Sequence, residues 1–444
     1  MSKLDLERYA CLVEAAPEGR WVGHVTRIVG LTLECRGIHA ALGELCSIVD
    51  PRKGEEILSE VVGFREESTI LMPIEDTAML SPGASVRPLG RRLSVSCGDF
   101  MLGRVLDALG RPIDGGAALP RGELLDIFRP APGPLDRVPI DEPLETGMSV
   151  LDGLLTFGKG QRMGIFAGSG VGKSTLLGGI ARSSTADVNV IALIGERGRE
   201  VQEFIQKSLG PEGLRRSVIV VATSDCTPLL RFKGAFTAVT IAEWFRDQGA
   251  DVMFMADSIT RLANSVREIG LASGEPPTVK GYPPSFFGTM PKLVERLGRT
   301  GAGSITGILT VLVDADDMNE PVADTMRGLL DGHCVLSRRL AARGQFPAVD
   351  VLESASRVMD SVCSKDQLAA ARQCKELLAV YEEARDLISV GAYREGSDPE
   401  IDRAIRAHGA MMRLLKQDHL ERRSLEETRN LMAAVASDAE GGAS

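Results

Sequence analysis

Several features that would place the chain in a special class of protein are scarce or missing among its 444 residues. The eight cysteines form no CxxC pair and no cluster with metal-ligand spacing, which predicts buried, reduced thiols. No apolar run reaches the ~20 residues that a membrane-spanning helix needs. The beginning of the sequence lacks the apolar segment of a signal peptide, so we expect the protein to stay in the cytoplasm.

Positive charge and aromatic residues are also in short supply. The formal net charge is −10, from 51 Lys and Arg against 61 Asp and Glu, and aromatic residues make up 4% of the chain. Broad binding of nucleic acid needs a basic face, and binding of single strands adds aromatic side chains on which bases stack. We therefore expect no nucleic acid among the partners of this chain.

The first part of the chain has the pattern of a small β-barrel that follows a short leader. Residues 1–20 are the leader, in which a few apolar residues have helical spacing. Residues 21–92 alternate short β-rich runs with Gly, Pro and Asp turns, a spacing typical of small barrels. The predicted strands of this part are 24–29, 42–49, 57–64 and 69–73.

The rest of the chain has the pattern of an α/β domain followed by helices. Residues 93–364 contain continuous apolar runs separated by helical stretches, as expected for strands buried on both faces of a parallel sheet. Within them, residues 112–143 are rich in Pro and Gly and predict an irregular connection. Residues 365–444 predict a C-terminal helical domain with a frayed tail over 433–444. The predicted strands are 163–166, 188–194, 217–222, 252–256 and 304–313, and the predicted C-terminal helices are 366–387, 401–416 and 425–434.

A glycine-rich segment between a predicted strand and a predicted helix has the pattern of a phosphate-binding loop. Residues 167–174 match G-x-x-x-x-G-K-[ST], except that Ala167 replaces the first glycine. Glycines let successive N–H groups point at phosphate oxygens, and the helix N-terminus adds partial positive charge. In such a loop Lys173 reaches the β- and γ-phosphates and Ser174 ligates Mg²⁺, so we expect the chain to bind and hydrolyse ATP. The residues predicted to contact the nucleotide are Ala167, Gly168, Ser169, Gly170, Val171, Gly172, Lys173, Ser174 and Thr175.

Two further strand ends offer the other groups that hydrolysis of a nucleoside triphosphate needs. The strand 252–256 runs into Asp257, which we predict to hold Mg²⁺ through water at the edge where ligands bind in open α/β sheets. The strand 188–194 runs into Glu196 and Arg197. Glu196 is the candidate for polarising the attacking water, and Arg197 could lie near the γ-phosphate. On pattern alone, Asp257 could instead be a helix N-cap and the charged loop could be solvated.

These motifs resemble those of the rotary ATP synthase α/β-type ATPases, and within them the flagellar protein-export ATPases and their type III secretion relatives. The resemblance extends over about 23–434. Its most specific part is 347–356, PAVDVLESAS, which fits the family signature P-A-[IV]-D-x-x-x-S-x-S. Further family-like stretches are AGSGVGKST, with the alanine typical of the export branch, GERGREV, and the segments 281–298 and 303–321.

The resemblance assigns roles that the patterns alone leave open. It implies that Glu196 is the catalytic glutamate, that Arg357 is an arginine finger for a neighbouring subunit's nucleotide, and that Phe346 stacks on adenine. The implied catalytic residues are Lys173, Glu196, Arg197 and Arg357. The implied cofactors are ATP and Mg²⁺. The implied fold is a RecA-like ATPase domain between a β-barrel and a helical domain, and the implied assembly is a homohexameric ring with sites at subunit interfaces.

The family also implies a cellular role and a set of partners. The role is to energise export of flagellar proteins from the cytoplasmic face of the cell membrane, with the ATPase held peripherally at the export apparatus. The implied partners are a stator-like regulatory protein bound to the leader, export-gate components, a central stalk protein and substrate–chaperone complexes.

Other members of the superfamily remain as alternatives to the flagellar role. The segments 71–80, 97–115 and 391–405 resemble the export branch, and 391–405 resembles flagellar members more than the ATPase of a virulence-type injectisome. A catalytic subunit of an ATP synthase, an RNA-translocating hexameric motor and a nucleotide-binding subunit without activity share the same core. The balanced charge of 21–92 disfavours the RNA motor, and an intact set of Lys173, Glu196 and Asp257 disfavours an inactive subunit.

Overall fold

The computed structural model describes residues 22–50, 54, 56–75, 80–313 and 317–441. The chain divides into two compact units, of which the first ends at Leu93 and the second begins at Ser94. The predicted leader, residues 1–20, lies outside the described residues. The predicted boundary at 364–365 falls inside the second unit.

The first unit is a closed antiparallel barrel of six strands, which confirms the predicted barrel. Its strands are β1 (Gly23–Val29), β2 (Thr32–Arg36), β3 (Leu45–Val49), β4 (Glu56–Arg65), β5 (Ser68–Pro73) and β6 (Ser85–Pro88). They close in the order β1-β2-β5-β4-β3-β6 around a core that includes Val25, Leu33 and Leu71. The sequence pattern missed β2 and β6, because both are short and carry exposed arginines on the solvent face, Arg36 and Arg87.

The second unit is built on a mostly parallel sheet, as predicted. Its strands are β7 (Ser94–Cys97), β8 (Val105–Asp107), β9 (Glu123–Asp126), β10 (Pro143–Leu144), β11 (Phe157–Gly158), β12 (Arg162–Ala167), β13 (Val188–Ile194), β14 (Ser217–Ala222), β15 (Asp251–Asp257), β16 (Gly298–Arg299), β17 (Ser304–Leu312), β18 (Gly332–Leu336) and β19 (Val349–Ser356). The main sheet has the order β19-β18-β12-β17-β15-β13-β14-β8, and β16 pairs with β17. The strands from β18 to β8 are parallel, whereas β19 is antiparallel to β18.

Helices cover both faces of this sheet and form the C-terminal part of the unit. They are α1 (Ser149–Leu154), α2 (Lys173–Ser183), α3 (Gly198–Glu203), α4 (Gly210–Arg215), α5 (Pro228–Asp247), α6 (Ile259–Ala272), α7 (Pro284–Val294), α8 (Pro321–Leu329), α9 (Arg338–Ala342), α10 (Met359–Val362), α11 (Lys365–Ser389), α12 (Pro399–Leu415) and α13 (Leu425–Glu440). Because both faces are covered, every residue of β13 and β14 is buried. The predicted irregular connection, 112–143, contains β9 and the first residue of β10.

The three C-terminal helices begin at capping residues and pack on the sheet domain. Asp398 caps α12 through the N–H groups of Glu400 and Ile401, and Ser424 forms a capping box with Glu427 at the start of α13. The predicted fraying of the tail 433–444 was wrong as far as Glu440, because α13 continues to that residue. The polar residues in that stretch face outward, while Val435 and Ala439 are fully buried on the inner face. None of the helices in the described part of the chain has the length and hydropathy that a membrane crossing requires.

Candidate active site

The glycine-rich loop lies at the carboxyl end of the central strand β12, directly before α2. Gly170 and Gly172 have φ of 78° and 89°, a left-handed conformation that favours glycine. The N–H of Leu176 donates to the carbonyl of Gly172 at 3.0 Å, which closes the first turn of α2. Ala167 is the last residue of β12 and is buried. Alanine fits there because the position is paired strand, opposite Leu312 and Leu336, rather than part of the turn.

Three ionisable side chains meet at the carboxyl edge of the parallel sheet. The ammonium of Lys173 contacts Asp257, at the end of β15, and lies 3.8 Å from Oε1 of Glu196, which follows β13. Thr310 of β17 donates its hydroxyl to Asp257 at 2.8 Å. Asp257 is not a helix N-cap, since Ser258 takes that position on α6 and accepts from the N–H of Arg261. The structure therefore brings together the lysine and both carboxylates that the sequence singled out.

Glu196 has an unusual protonation equilibrium for a carboxyl group. Burial raises the pKa of Glu196 to about 7, with Asp257 adding to the effect and Lys173 and Arg261 opposing it. A carboxyl group that titrates near neutral pH beside a lysine is matched to orienting water or accepting a proton.

Arg261 is a cation near this group that sequence reasoning missed. It lies in the first turn of α6, and its side chain packs against Gly195, where an added Cβ would lie 2.8 Å from the Cβ of Arg261. Its Nε is buried and has no hydrogen-bond acceptor among the described residues. The signal that could have found it is its place four residues after Asp257, one helical turn into the helix that follows the acidic strand end.

Arg197 occupies a more peripheral position than its neighbour Glu196. Its side chain is 67% exposed and pairs with Glu200 at 2.9 Å, one turn along α3. In this structure the guanidinium is therefore held at the rim of the site.

A cavity of about 280 Å³ adjoins the phosphate loop on the side of the C-terminal helices. The half-exposed ring of Phe346 forms one wall, and a Cβ built on Gly172 would lie 3.6 Å from that ring. The cavity is lined by Met148, Gly172, Thr175, Leu176, Gly179, Phe346, Pro347, Gln417, Asp418 and His419. An aromatic wall beside the phosphate loop suits a nucleobase.

Gln417, just beyond α12, is a second residue that the sequence did not reveal. It is 7% exposed, and its backbone N–H donates to the carbonyl of Phe346 at 3.0 Å. Its side-chain amide accepts from the N–H of Ser149 at 2.8 Å and donates to the carbonyl of Gly147 at 2.7 Å. One glutamine thus ties the C-terminal helices to two segments that border the cavity.

Arg357 lies at the opposite edge of the sheet from the phosphate loop. Because β19 is antiparallel to β18, it begins beside Leu336 at the carboxyl edge and ends beside Gly332 at the amino edge. The N–H of Arg357, directly after β19, donates to the carbonyl of Asp331 at 2.9 Å, and its side chain is exposed. Within one chain, the structure does not bring Arg357 to the group of Lys173, Glu196 and Asp257.

The oxygen donors at the phosphate loop fit Mg²⁺ that is bound together with phosphates. Ser174 is exposed at the start of α2, and the carboxylate of Asp257 lies beside Lys173. The described residues contain no group of three or more His, Cys, Asp and Glu side chains that could hold a metal alone. Mg²⁺ typically uses one or two protein ligands and completes its shell with waters and phosphate oxygens.

Family models match three parts of the chain. The nucleotide-binding domain of the ATP synthase alpha/beta family matches residues 147–356, and the beta-barrel domain of the same family matches residues 25–90. The chain belongs to the ATP synthase alpha/beta family. Residues 363–434 match a third model, the C-terminal domain of the T3SS EscN ATPase. Together, the three matches identify the chain as an ATPase of the export type.

Individual members of the family cover nearly the full chain. The flagellum-specific ATP synthase of Bacillus subtilis is 52% identical, over 94% of this chain and 95% of the relative. The type 3 secretion system ATPase of Xanthomonas euvesicatoria is 48% identical over 95% of both chains. A solved structure of the assembled ATPase EscN of enteropathogenic E. coli, in complex with its central stalk EscO, aligns with a TM-score of 0.86 and 43% identity. That alignment covers 93% of this chain and 99% of the other.

Proposed function

We propose that the chain hydrolyses Mg·ATP at the subunit interfaces of a homohexameric ring and thereby energises export of flagellar proteins. The observation that carries the proposal is the division of the site between the two edges of one sheet. Lys173, Glu196 and Asp257 lie together at the carboxyl edge, and Arg357 lies at the amino edge. A ring of identical subunits can join the two edges, because Arg357 of each subunit can meet the carboxyl-edge group of the next.

The residues at the carboxyl edge bind and orient the substrate. The loop 168–172 and Lys173 would hold the phosphates. Ser174, and Asp257 through water, would hold Mg²⁺, which would neutralise phosphate charge. Lys173 then exchanges its contact with Asp257 for the β- and γ-phosphates. Glu196 accepts a hydrogen bond from water and directs it in line at the γ-phosphorus.

Positive charge completes the site as the γ-phosphoryl group transfers. The arginine finger, Arg357 of the neighbouring subunit, stabilises the charge on the phosphoryl oxygens. Arg261, packed on Gly195 within the same chain, adds a second cation beside Glu196. Arg197 joins them if its guanidinium leaves Glu200 and turns inward. Phe346 and the cavity of about 280 Å³ hold the adenine.

The partners that we propose follow the export branch of the family. A central stalk protein would occupy the ring, as EscO accompanies the assembled EscN. A stator-like regulatory protein would bind residues 1–20, and export-gate components and substrate–chaperone complexes would bind the assembled ring. We place this assembly at the inner face of the cell membrane, where the ATPase is held peripherally.

Complementation between two inactive variants tests the shared site. Arg357→Ala subunits keep an intact phosphate loop, and Lys173→Ala subunits keep an intact finger. Each variant alone should be inactive, whereas mixed rings should recover part of the ATPase activity, because some interfaces contain both functional residues. Activity should also rise with protein concentration in step with mass measurements of assembly. Mixtures that assemble without any recovery would argue against a finger acting between subunits.

Export by a virulence-type injectisome is the second candidate, supported by the 48% identity to a type 3 secretion system ATPase. Deletion of the gene in its own host separates the two roles. We expect the deletion to abolish flagellar filaments and swimming, and a plasmid copy to restore them. Normal swimming with loss of a secreted virulence substrate would favour the injectisome.

A further inference from the structure

The guanidinium of Arg338, which follows β18, lies against Gly168 at the start of the phosphate loop. Strands β18 and β12 run side by side, with Leu336 opposite Ala167. Arg338 therefore emerges beside Gly168. A Cβ built on Gly168 would lie 2.5 Å from Nη2 and 2.8 Å from Cζ of Arg338. The guanidinium thus fills the space in which a side chain at position 168 would begin.

This contact is made where the loop leaves the sheet. Gly168 is buried, whereas Ser169 and Gly170 are exposed, and a Cβ at Gly170 would meet no atom within 4 Å. The outer part of the loop therefore has little packing of its own. The start of the loop is covered by Arg338, whose planar, weakly hydrated group is suited to lie flat on a peptide backbone.

We propose that Arg338 is a positioning residue for the phosphate loop in its own subunit. It holds the backbone at Gly168 so that the loop N–H groups converge on the phosphates, and it adds positive charge beside them. The proposal rests on the proposed function, since it deepens the role of the same loop. It is independent of Arg357, which serves the neighbouring site.

The adjacent arginine provides a matched control. Arg339 has the same charge and lies in the same short helix, but it pairs with Glu382 at 3.0 Å and approaches Asp350 at 3.8 Å. Its side chain is therefore committed to α11 and β19. Replacement of Arg339 removes one surface charge and leaves Gly168 covered.

The first experiment compares Arg338→Ala and Arg338→Lys with Arg339→Ala in the full chain. Binding of Mg·ADP and steady-state hydrolysis of Mg·ATP are measured, with thermal melting as a folding check. Arg338→Ala should raise the Kd for Mg·ADP and the KM for Mg·ATP about tenfold and change kcat less than threefold, because a loop that is poorly held binds phosphates less well. Arg338→Lys should restore part of the affinity, and Arg339→Ala should bind like the wild type. Wild-type affinity in Arg338→Ala, or equal losses in both alanine variants, would overturn the proposal.

The second experiment tests the contact itself with a double-mutant cycle. Gly168 does not have a left-handed φ, so its backbone accepts alanine and the obstacle is the guanidinium of Arg338. Gly168→Ala should displace Arg338 and weaken Mg·ADP binding about as much as Arg338→Ala does. In the Arg338→Ala background, Gly168→Ala should cost less than a further twofold. Additive losses would show that the two positions act separately and would overturn the proposal.

A variant of Lys173 distinguishes failure of the role of Arg338 from failure of the proposed function. Lys173→Ala should abolish hydrolysis under the proposed function, whatever Arg338 does. If Lys173→Ala is inactive and Arg338→Ala binds normally, the role of Arg338 is wrong and the proposed function stands. If Lys173→Ala still turns over ATP, the proposed function itself fails.

Discussion

At the carboxyl edge of the parallel sheet, Lys173, Glu196 and Asp257 have side chains no more than 12% exposed and lie against one another. At the amino edge, Arg357 projects an exposed side chain from the end of β19. The two edges thus offer opposite environments: one is a buried group of opposite charges, and the other is a solvated cation. Buried charges are costly unless they are compensated, so the first group is held in place by its own attractions. The exposed guanidinium of Arg357 makes a long contact instead, 3.5 Å from Nη2 to the carbonyl of Arg327.

The exposed arginine is nevertheless fixed at its backbone. Its N–H donates to the carbonyl of Asp331, and the carboxylate of Asp331 accepts from Arg162 at 2.9 and 3.0 Å. The backbone hydrogen bond therefore fixes where the side chain starts more firmly than the long 3.5 Å contact with the carbonyl of Arg327 holds its guanidinium. A fixed backbone with an exposed guanidinium suits a residue that reaches across a subunit boundary. In this the amino edge differs from the carboxyl edge, whose charged side chains are buried together.

The largest expected effect comes from removing the cation of the amino edge. Arg357→Ala should lower kcat by about 10³–10⁵-fold, the range known for arginine fingers, because the neighbouring site loses charge stabilisation in the transition state. Nucleotide binding to the unassembled chain should be unchanged, since Arg357 does not contribute to its own site. Arg327→Ala is the control, because Arg327 lies near Arg357 and its side chain pairs with Asp324 at 3.0 Å. A similar loss in both variants, or a loss below tenfold in Arg357→Ala, would contradict the division of roles.

Glu196→Gln removes the ionisable group of this side chain at the carboxyl edge with almost no change in side-chain volume. It should lower kcat by about 10²–10⁴-fold, the usual contribution of a positioned acid or base, and leave binding of Mg·ATP intact. Isothermal titration and single-turnover hydrolysis separate the two quantities. Glu203→Gln serves as the control, because Glu203 ends α3, the helix that follows Glu196, and its side chain is 52% exposed. Near-normal turnover in Glu196→Gln would remove Glu196 from the mechanism.

The pH dependence of hydrolysis offers a finer test of the same residue. In the proposed mechanism Glu196 acts as the carboxylate, and burial raises its pKa to about 7. The value of kcat/KM should therefore rise about tenfold per pH unit below pH 7 and level off above it. Binding of a non-hydrolysable ATP analogue at the same pH values corrects for protonation of the nucleotide. A profile that is flat from pH 5.5 to 8.5 would show that this carboxyl group does not limit turnover.

Sequence patterns predicted the parts of the site that are local in the chain. The loop around Gly172, the carboxylates that follow two apolar strands, and the barrel-sheet-helix order were all visible, because short-range spacing determines them. Arg261, Arg338 and Gln417 were missed, since their importance depends on which segments meet after folding. The same limit applied to the last turns of α13, where the buried face of Val435 and Ala439 decides the structure.

The smallest effect should come from the aromatic wall of the cavity at the carboxyl edge. Stacking of a base on an aromatic side chain contributes about 1–3 kcal/mol, and the half-exposed ring of Phe346 belongs at the low end. Phe346→Ala should therefore raise the KM for Mg·ATP about fivefold and leave kcat within twofold, whereas Phe346→Tyr should retain normal affinity. Both values follow from initial rates at varied ATP. Such a pattern would distinguish ground-state binding at the carboxyl edge from the transition-state role of Arg357. An equal fall in kcat would instead mean that Phe346 helps to place the phosphates, through its position beside Gly172 in the cavity wall.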